Sequence, residues 1–163
     1  MDTRNISVKR HIVTTRSDFD AVLRSLYAGI GTPSHDTLAD ILVEPDFNRF
    51  QRRVMDVAGT SGLIEFAKLD LGDALVKGPH SNAYRIIRIV AGNPLIMRKM
   101  IETVPHAGSY APITILVYED GSDVKLAYDT MESCIETYGS EGALRIAREL
   151  DQKVLSLLES AAE

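Results

Sequence analysis

The side chains best suited to chemistry in this chain are four histidines, one cysteine and six tyrosines. His11, His35, His80 and His106 include no pair four residues apart, the spacing that would put two metal ligands on one helix face. A lone Cys134 does not complete a zinc set, so no metal ligand is assigned and no cofactor is expected. A cysteine nucleophile needs a base to generate its thiolate, and spacing identifies none. Cys134 therefore reads as a small buried apolar side chain. Ser81, Ser109 and Ser133 lack the Gly-x-Ser-x-Gly setting of a nucleophile elbow. No catalytic residue is assigned. An enzyme using the loop residues His80 or His106, with Tyr or Asp partners, stands as one alternative function.

Binding chemistry is better represented. The run Tyr84-Arg85-Ile86-Ile87-Arg88-Ile89-Val90-Ala91 reads as a buried strand that stops at Gly92-Asn93-Pro94 and opens into a helix. Proline suits the first helical position, where its missing N–H would have no intrahelical partner. Backbone donors and the positive dipole end at such a start favour an anion or carboxylate. The same three residues also serve a purely architectural turn. The glycine-rich loop and lysine of a P-loop are absent, which argues against a nucleoside triphosphate. Tyr84, Tyr110, Tyr118 and Tyr128 sit on or beside the central strands, where they could line a pocket or pack at the sheet edge. Gly92, Asn93, Tyr110, Tyr118 and His106 are the expected ligand-binding residues, for a small anionic or apolar ligand.

Composition narrows the partners. The chain has 163 residues, 18 Lys and Arg against 23 Asp and Glu, a net charge of −5 and a pI near 5.4. An acidic surface disfavours nucleic acid and anionic lipid. No apolar run approaches the ~20 residues of a membrane helix, so no membrane partner is expected. One cysteine excludes an intramolecular disulfide and suits a reducing compartment. The N-terminus lacks the apolar core of a secretory signal, and the expectation is a cytoplasmic protein.

These residues need a scaffold, and the pattern supplies strands interleaved with helices. His11–Thr15 is a short β-branched strand. Ser17 is the expected cap of a helix whose apolar face is Phe19, Val22, Leu23, Leu26, Tyr27 and Ile30. Thr37–Val43 fits either a short helix or an extended piece. Phe47 to Ala58 is expected as a helix laying Phe50 and Val54 on apolar surface. Leu63–Leu69 and Tyr84–Ala91 are strands, with a helical turn over Asp70–Leu75 between them. A helix runs from Pro94 to about Thr103. Ile113–Tyr118 and Val124–Tyr128 form a hairpin around Asp120-Gly121. A short helix carries Met131, Ile135 and Tyr138, and Ser140 caps a final helix. The hairpin makes the fold α+β, with a single largely antiparallel or mixed sheet and helices packed on one face. No internal repeat or linker divides the chain, so residues 1–163 read as one domain.

The order of these elements resembles the bacterial domain-of-unknown-function family 302. The resemblance rests on Gly62–Asp70, Ile89-Val90-Ala91-Gly92-Asn93-Pro94, Ala111–Glu119 and Val124–Asp129, and spans roughly His11 to Tyr138. The Gly92-Asn93-Pro94 turn is its most specific element and the strand with Tyr118 the second. It implies a compact α+β fold similar to the TATA-binding-protein-like architecture, one curved sheet with helices against it, and it implies no DNA binding. It settles no activity. Two departures stand out. Residues 32–60 form an insertion carrying an extra helix, and Leu71 occupies a position where members often carry histidine. The expected function is a small-ligand-binding module with an anion site at the helix start. The non-enzymatic alternative is a homodimeric interaction protein, joined through the apolar helix of Ile96, Met97, Met100, Ile101 and Val104.

Overall fold

The computed structural model describes residues 1–77 and 84–163. Six strands form one curled sheet in the order β1-β6-β5-β4-β3-β2. They are β1 (Arg10–Thr15), β2 (Ile30–Gly31), β3 (Leu63–Asp70), β4 (Ile86–Gly92), β5 (Ile113–Asp120) and β6 (Asp123–Asp129). Every neighbouring pair is antiparallel except β2 with β3. The α+β class with a largely antiparallel, mixed sheet is therefore as expected. The β5–β6 reversal turns on Gly121, whose φ of +65° suits a residue without Cβ.

Side chains alternate across the sheet and so divide its two faces. Ile87, Ile89 and Ala91 of β4, Ile113, Ile115 and Val117 of β5, and Val124, Leu126 and Tyr128 of β6 share the buried face. Over them lie α1 (Phe19–Gly29), α5 (Pro94–Ile101) and the long α7 (Glu141–Ala162), with the shorter α6 (Met131–Ile135) at one end. α7 starts at Ser140, whose hydroxyl accepts the Ala143 N–H at 3.3 Å, and it buries Ala147, Leu150, Val154 and Leu158. The apolar helix α5 spends its excess on this same core: Met100 is fully buried, and Ile96, Met97 and Ile101 pack against the cluster.

Three local expectations are corrected. Asp18, not Ser17, caps α1, its carboxylate accepting the Asp20 and Ala21 N–H groups at 3.0 and 3.1 Å. A charged cap at the positive helix end outcompetes a hydroxyl, and the Ser17 hydroxyl oxygen already accepts from Thr15 Oγ1 at 3.2 Å. Ile30 does not continue the α1 face but starts β2, pairing with Leu63. β4 begins at Ile86 rather than Tyr84, because the Arg85 N–H is diverted to the Glu119 carboxylate at 2.8 Å.

The segment after β2 forms α2 (His35–Leu42) and α3 (Phe47–Val57), capped by Ser34 and Asp46, and a single turn, α4 (Gly72–Leu75), follows β3. α2 resolves Thr37–Leu42 as helix, with Val43 as its C-cap. Leu38, Ile41 and Val54 enclose Ile64 of β3 in a second, smaller cluster. Ile64 neighbours the core residue Leu63, so alternation puts this cluster against the opposite face at the β2–β3 edge. Phe50 is only half-buried against the cluster, and Phe47 is exposed under the Arg98 guanidinium at 4.5 Å. The chain crosses itself closely here: a Cβ on Gly31 would lie 1.9 Å from the Val57 carbonyl oxygen. Glycine is required at that crossing.

Candidate functional site

Beyond the α2–α3 hairpin the second face of the sheet stays open among the described residues. Cross-strand register lays Ile12, Ala127, Leu116, Arg88 and Leu69 side by side across five strands. Apart from small, buried Ala127, these residues are half-buried or exposed. Toward the Tyr110 end, the floor sinks into a groove of about 460 Å³. Arg88, Thr114, Leu116 and the Arg10–Asp129 pair lie along it, and Tyr110, Pro112 and Cys134 line it as well.

Charge on this face is arranged unevenly. Arg10 grips Asp129 through Nε at 2.6 Å and Nη2 at 2.7 Å, and the carboxylate raises its pKa further above the ordinary arginine value. Lys125 is bonded to Asp120. Arg88 donates only to the Thr114 hydroxyl, at 3.2 Å, and among the described residues no carboxylate pairs with it. Burial pushes the Cys134 thiol up, with the Asp129 charge adding to the effect, so the groove presents a neutral thiol rather than a nucleophile. Burial and the neighbouring Tyr138 likewise raise the Tyr110 hydroxyl and keep it a neutral donor.

The expected site residues are dispersed. Tyr110 lines the groove. Gly92 lies behind it: a Cβ there would meet Pro112 Cβ at 3.2 Å. Tyr118 shares the open face but sits opposite Lys125 and Ile86, one row beyond the groove. Asn93 is committed to structure. Its Oδ1 accepts the Leu95 N–H at 2.9 Å, and its Nδ2 donates to the Gly62 carbonyl at 2.8 Å. The Met97 N–H bonds back to the Asn93 carbonyl at 2.9 Å. Asn93 instead borders a different, wide valley of about 950 Å³ between α1, α3 and α7, together with Lys153. His106 stacks on Tyr138, with ring centroids 4.7 Å apart and planes at 16°. His80 lies outside the described residues. Among those described, no group of three or more metal-ligating side chains forms and no helix is long and apolar enough to cross a membrane.

Two functional-looking residues escaped the sequence reading. Arg88 had a signal: a cation at the outward period of an otherwise apolar strand. Asp151 had none. It lies 6 % exposed on α7 and accepts the Tyr128 hydroxyl at 2.6 Å and the Met131 and Glu132 N–H groups at 2.8 and 3.0 Å. It thus caps α6 from another helix, in place of Thr130, whose side chain makes no cap bond. Burial raises its carboxyl above the ordinary range, against the pull of the three donors.

A single curled sheet, its core under α1, α5 and α7 and its other face largely open, defines the class of domain. The chain belongs to the family described as Domain of unknown function DUF302, which matches residues 40–161. It is also similar in structure to an uncharacterized conserved protein of that family from Bacillus stearothermophilus. That crystal structure shares 10 % identity over 93 % of this chain and 97 % of the other, with a TM-score of 0.66. Identity that low speaks for the shared fold alone. No curated protein matches the chain.

Proposed function

We propose that this protein is a small-ligand-binding module and that its ligand is an amphiphilic anion seated in the groove on the open sheet face. The observation that carries this reading is Arg88, an exposed guanidinium beside an apolar floor with no carboxylate partner among the described residues. Arg10 and Lys125 on that face are already paired. A guanidinium presents a planar fork that matches a carboxylate or phosphate with two parallel hydrogen bonds. Leu116, Pro112 and the Tyr110 ring would take the apolar body of the ligand. A groove of about 460 Å³ falls in the range that small-molecule sites occupy. Tyr110 is the expected site residue this reading keeps, and Gly92 supports it by leaving room for Pro112. At the Gly92–Asn93 helix start the Leu95 N–H is taken by Asn93, so the anion is assigned to Arg88 instead. The raised Cys134 thiol stays protonated and offers no thiolate nucleophile beside the bound anion. A cytoplasmic location remains part of the proposal.

Amide resonances tracked during titration with straight-chain and aromatic carboxylates test the reading. Saturable shifts are expected at residues 86–90 and 112–116, and Arg88→Ala should weaken binding at least about tenfold, or about 1.4 kcal/mol. Shifts centred on Asn93 and Lys153, or none at all, would overturn it.

A further inference from the structure

The two edges of the sheet are finished differently. At one end β2 is only two residues long and is pressed against the Val57–Gly59 backbone, so no further strand has room there. At the other end β1 runs for six residues, Arg-His-Ile-Val-Thr-Thr, with no proline or bulge. Short edges, bulges, prolines, charged side chains and covering segments are the usual ways in which a sheet blocks further pairing. Of these β1 carries only charge among the described residues: Arg10, which Asp129 holds, with Lys9 and Arg16 at its two ends.

The hydrogen-bond register makes the exposed edge explicit. The Thr130 N–H donates to the Lys9 carbonyl at 2.9 Å, which fixes Lys9, His11, Val13 and Thr15 as the positions that bond to β6. An antiparallel ladder alternates, so the N–H and C=O groups of Arg10, Ile12 and Thr14 point away from the sheet. On the open face at this edge, Ile12 is 51 % exposed and Val8 47 %. An outward backbone ladder and an uncovered apolar side chain coincide at Ile12.

We propose that β1 pairs antiparallel with β1 of a second copy about a two-fold axis at Ile12, joining two six-stranded sheets into one. In this register Ile12 lies opposite Ile12, and Arg10 lies opposite Thr14 of the other copy. All three outward N–H and C=O pairs on each strand are then satisfied. The charges fit as well. Although Arg10 opens the strand and Lys9 and Arg16 flank it, the register sets Arg16 against Val8 and Lys9 against Thr15, so no cation lies directly opposite a cation across the axis. Arg10 remains held by Asp129. A self-complementary edge of this kind selects a second copy of this chain, since the same patch serves both sides of a two-fold interface. The proposal is independent of what fills the groove.

The test begins with light-scattering mass on the full chain, where a dimer is expected and a monomer overturns the proposal. Ile12→Pro removes an N–H that β6 does not use, so the variant should keep its circular dichroism and become monomeric. A dimer that survives Ile12→Pro overturns the proposal. A cross-link assay covers the case in which that variant fails to fold. In an otherwise unchanged chain, Ile12→Cys brings two Cα atoms about 5.5 Å apart, within disulfide reach, and should form a covalent dimer on mild oxidation. Thr14→Cys leaves its two copies about 13 Å apart and should not. Cross-linking at position 14 instead of 12, or at neither, rejects this register. Binding of some other protein's strand at β1 would appear as an Ile12→Cys chain that stays monomeric alone.

Discussion

Ile115 and Leu116 are neighbours on β5, yet they face different environments. Ile115 is fully buried between the sheet and the helices, whereas Leu116 is half-buried on the floor of an open groove. Charge divides the same way. On the covered side the buried carboxylate of Asp151 is met by three hydrogen-bond donors. The open side holds Arg88, exposed and with only the Thr114 hydroxyl as side-chain partner among the described residues. The comparison separates what the fold needs from what it leaves over. A buried charge must be fully bonded because an unmet one is costly, while an exposed charge can wait for a ligand. One face is organised around stability, and the other has polar capacity that the chain itself does not use.

Substitutions on the two faces can break or sharpen that division. The largest effect is expected at Ile115→Ala, which should cost about 4 kcal/mol by denaturant unfolding, because the site is closed on every side. Leu116→Ala on the same strand should cost less than about 1 kcal/mol, since its side chain is only partly removed from water. Equal losses would mean that the open face is covered in solution.

Asp151→Ala comes next, at about 3 kcal/mol, because it strands the Tyr128 hydroxyl and two helix-start N–H groups in the interior. Its pH signature is distinct. The folded carboxyl is raised, so the folded state binds that proton more tightly than the unfolded chain does. The stability this proton contributes is complete below the ordinary value of 3.8 and is lost as pH rises through the raised value. Asp151→Asn should flatten that part of a stability–pH curve, and an unchanged slope would assign it to other groups.

The smaller cluster offers an intermediate case. Val54→Ala should cost about 2 kcal/mol, and Phe50→Ala about 1 to 2 kcal/mol, since Phe50 is only half-buried. The smallest effect is expected at Arg88→Ala, within about 0.5 kcal/mol in the denaturation midpoint. A larger loss would make Arg88 part of the scaffold rather than of a site.

Much of the scaffold is legible in the residues because its causes are local. The alternation in Ile113–Tyr118, the Asp120-Gly121 reversal, the Pro94 helix start and the Ser140 cap each act within a few positions. Such short-range rules also placed α3 and the final helix. They failed where two local options compete, as between Ser17 and Asp18, and where a pairing partner lies far along the chain. β2 is a strand only because Leu63 and Ile64 arrive beside it, and nothing in Ile30-Gly31 announces that.

The candidate site follows the same boundary. Tyr110 could be proposed from its place beside a strand, and Arg88 carries an outward period that was there to be read. What residue spacing cannot convey is company. Asn93 resembles an anion-site residue until Gly62 and Leu95 occupy its amide, and His106 resembles a base until it is found stacked on Tyr138. Asp151 resembles a solvated helix residue until the fold folds it beneath Tyr128. By itself the sequence determined most of the strands and helices, though not β2 or α2, and the apolar face of each, because periodicity and caps are properties of adjacent residues. Only the tertiary structure decided which polar groups are satisfied and which remain available, because that depends on distances between residues far apart in the chain.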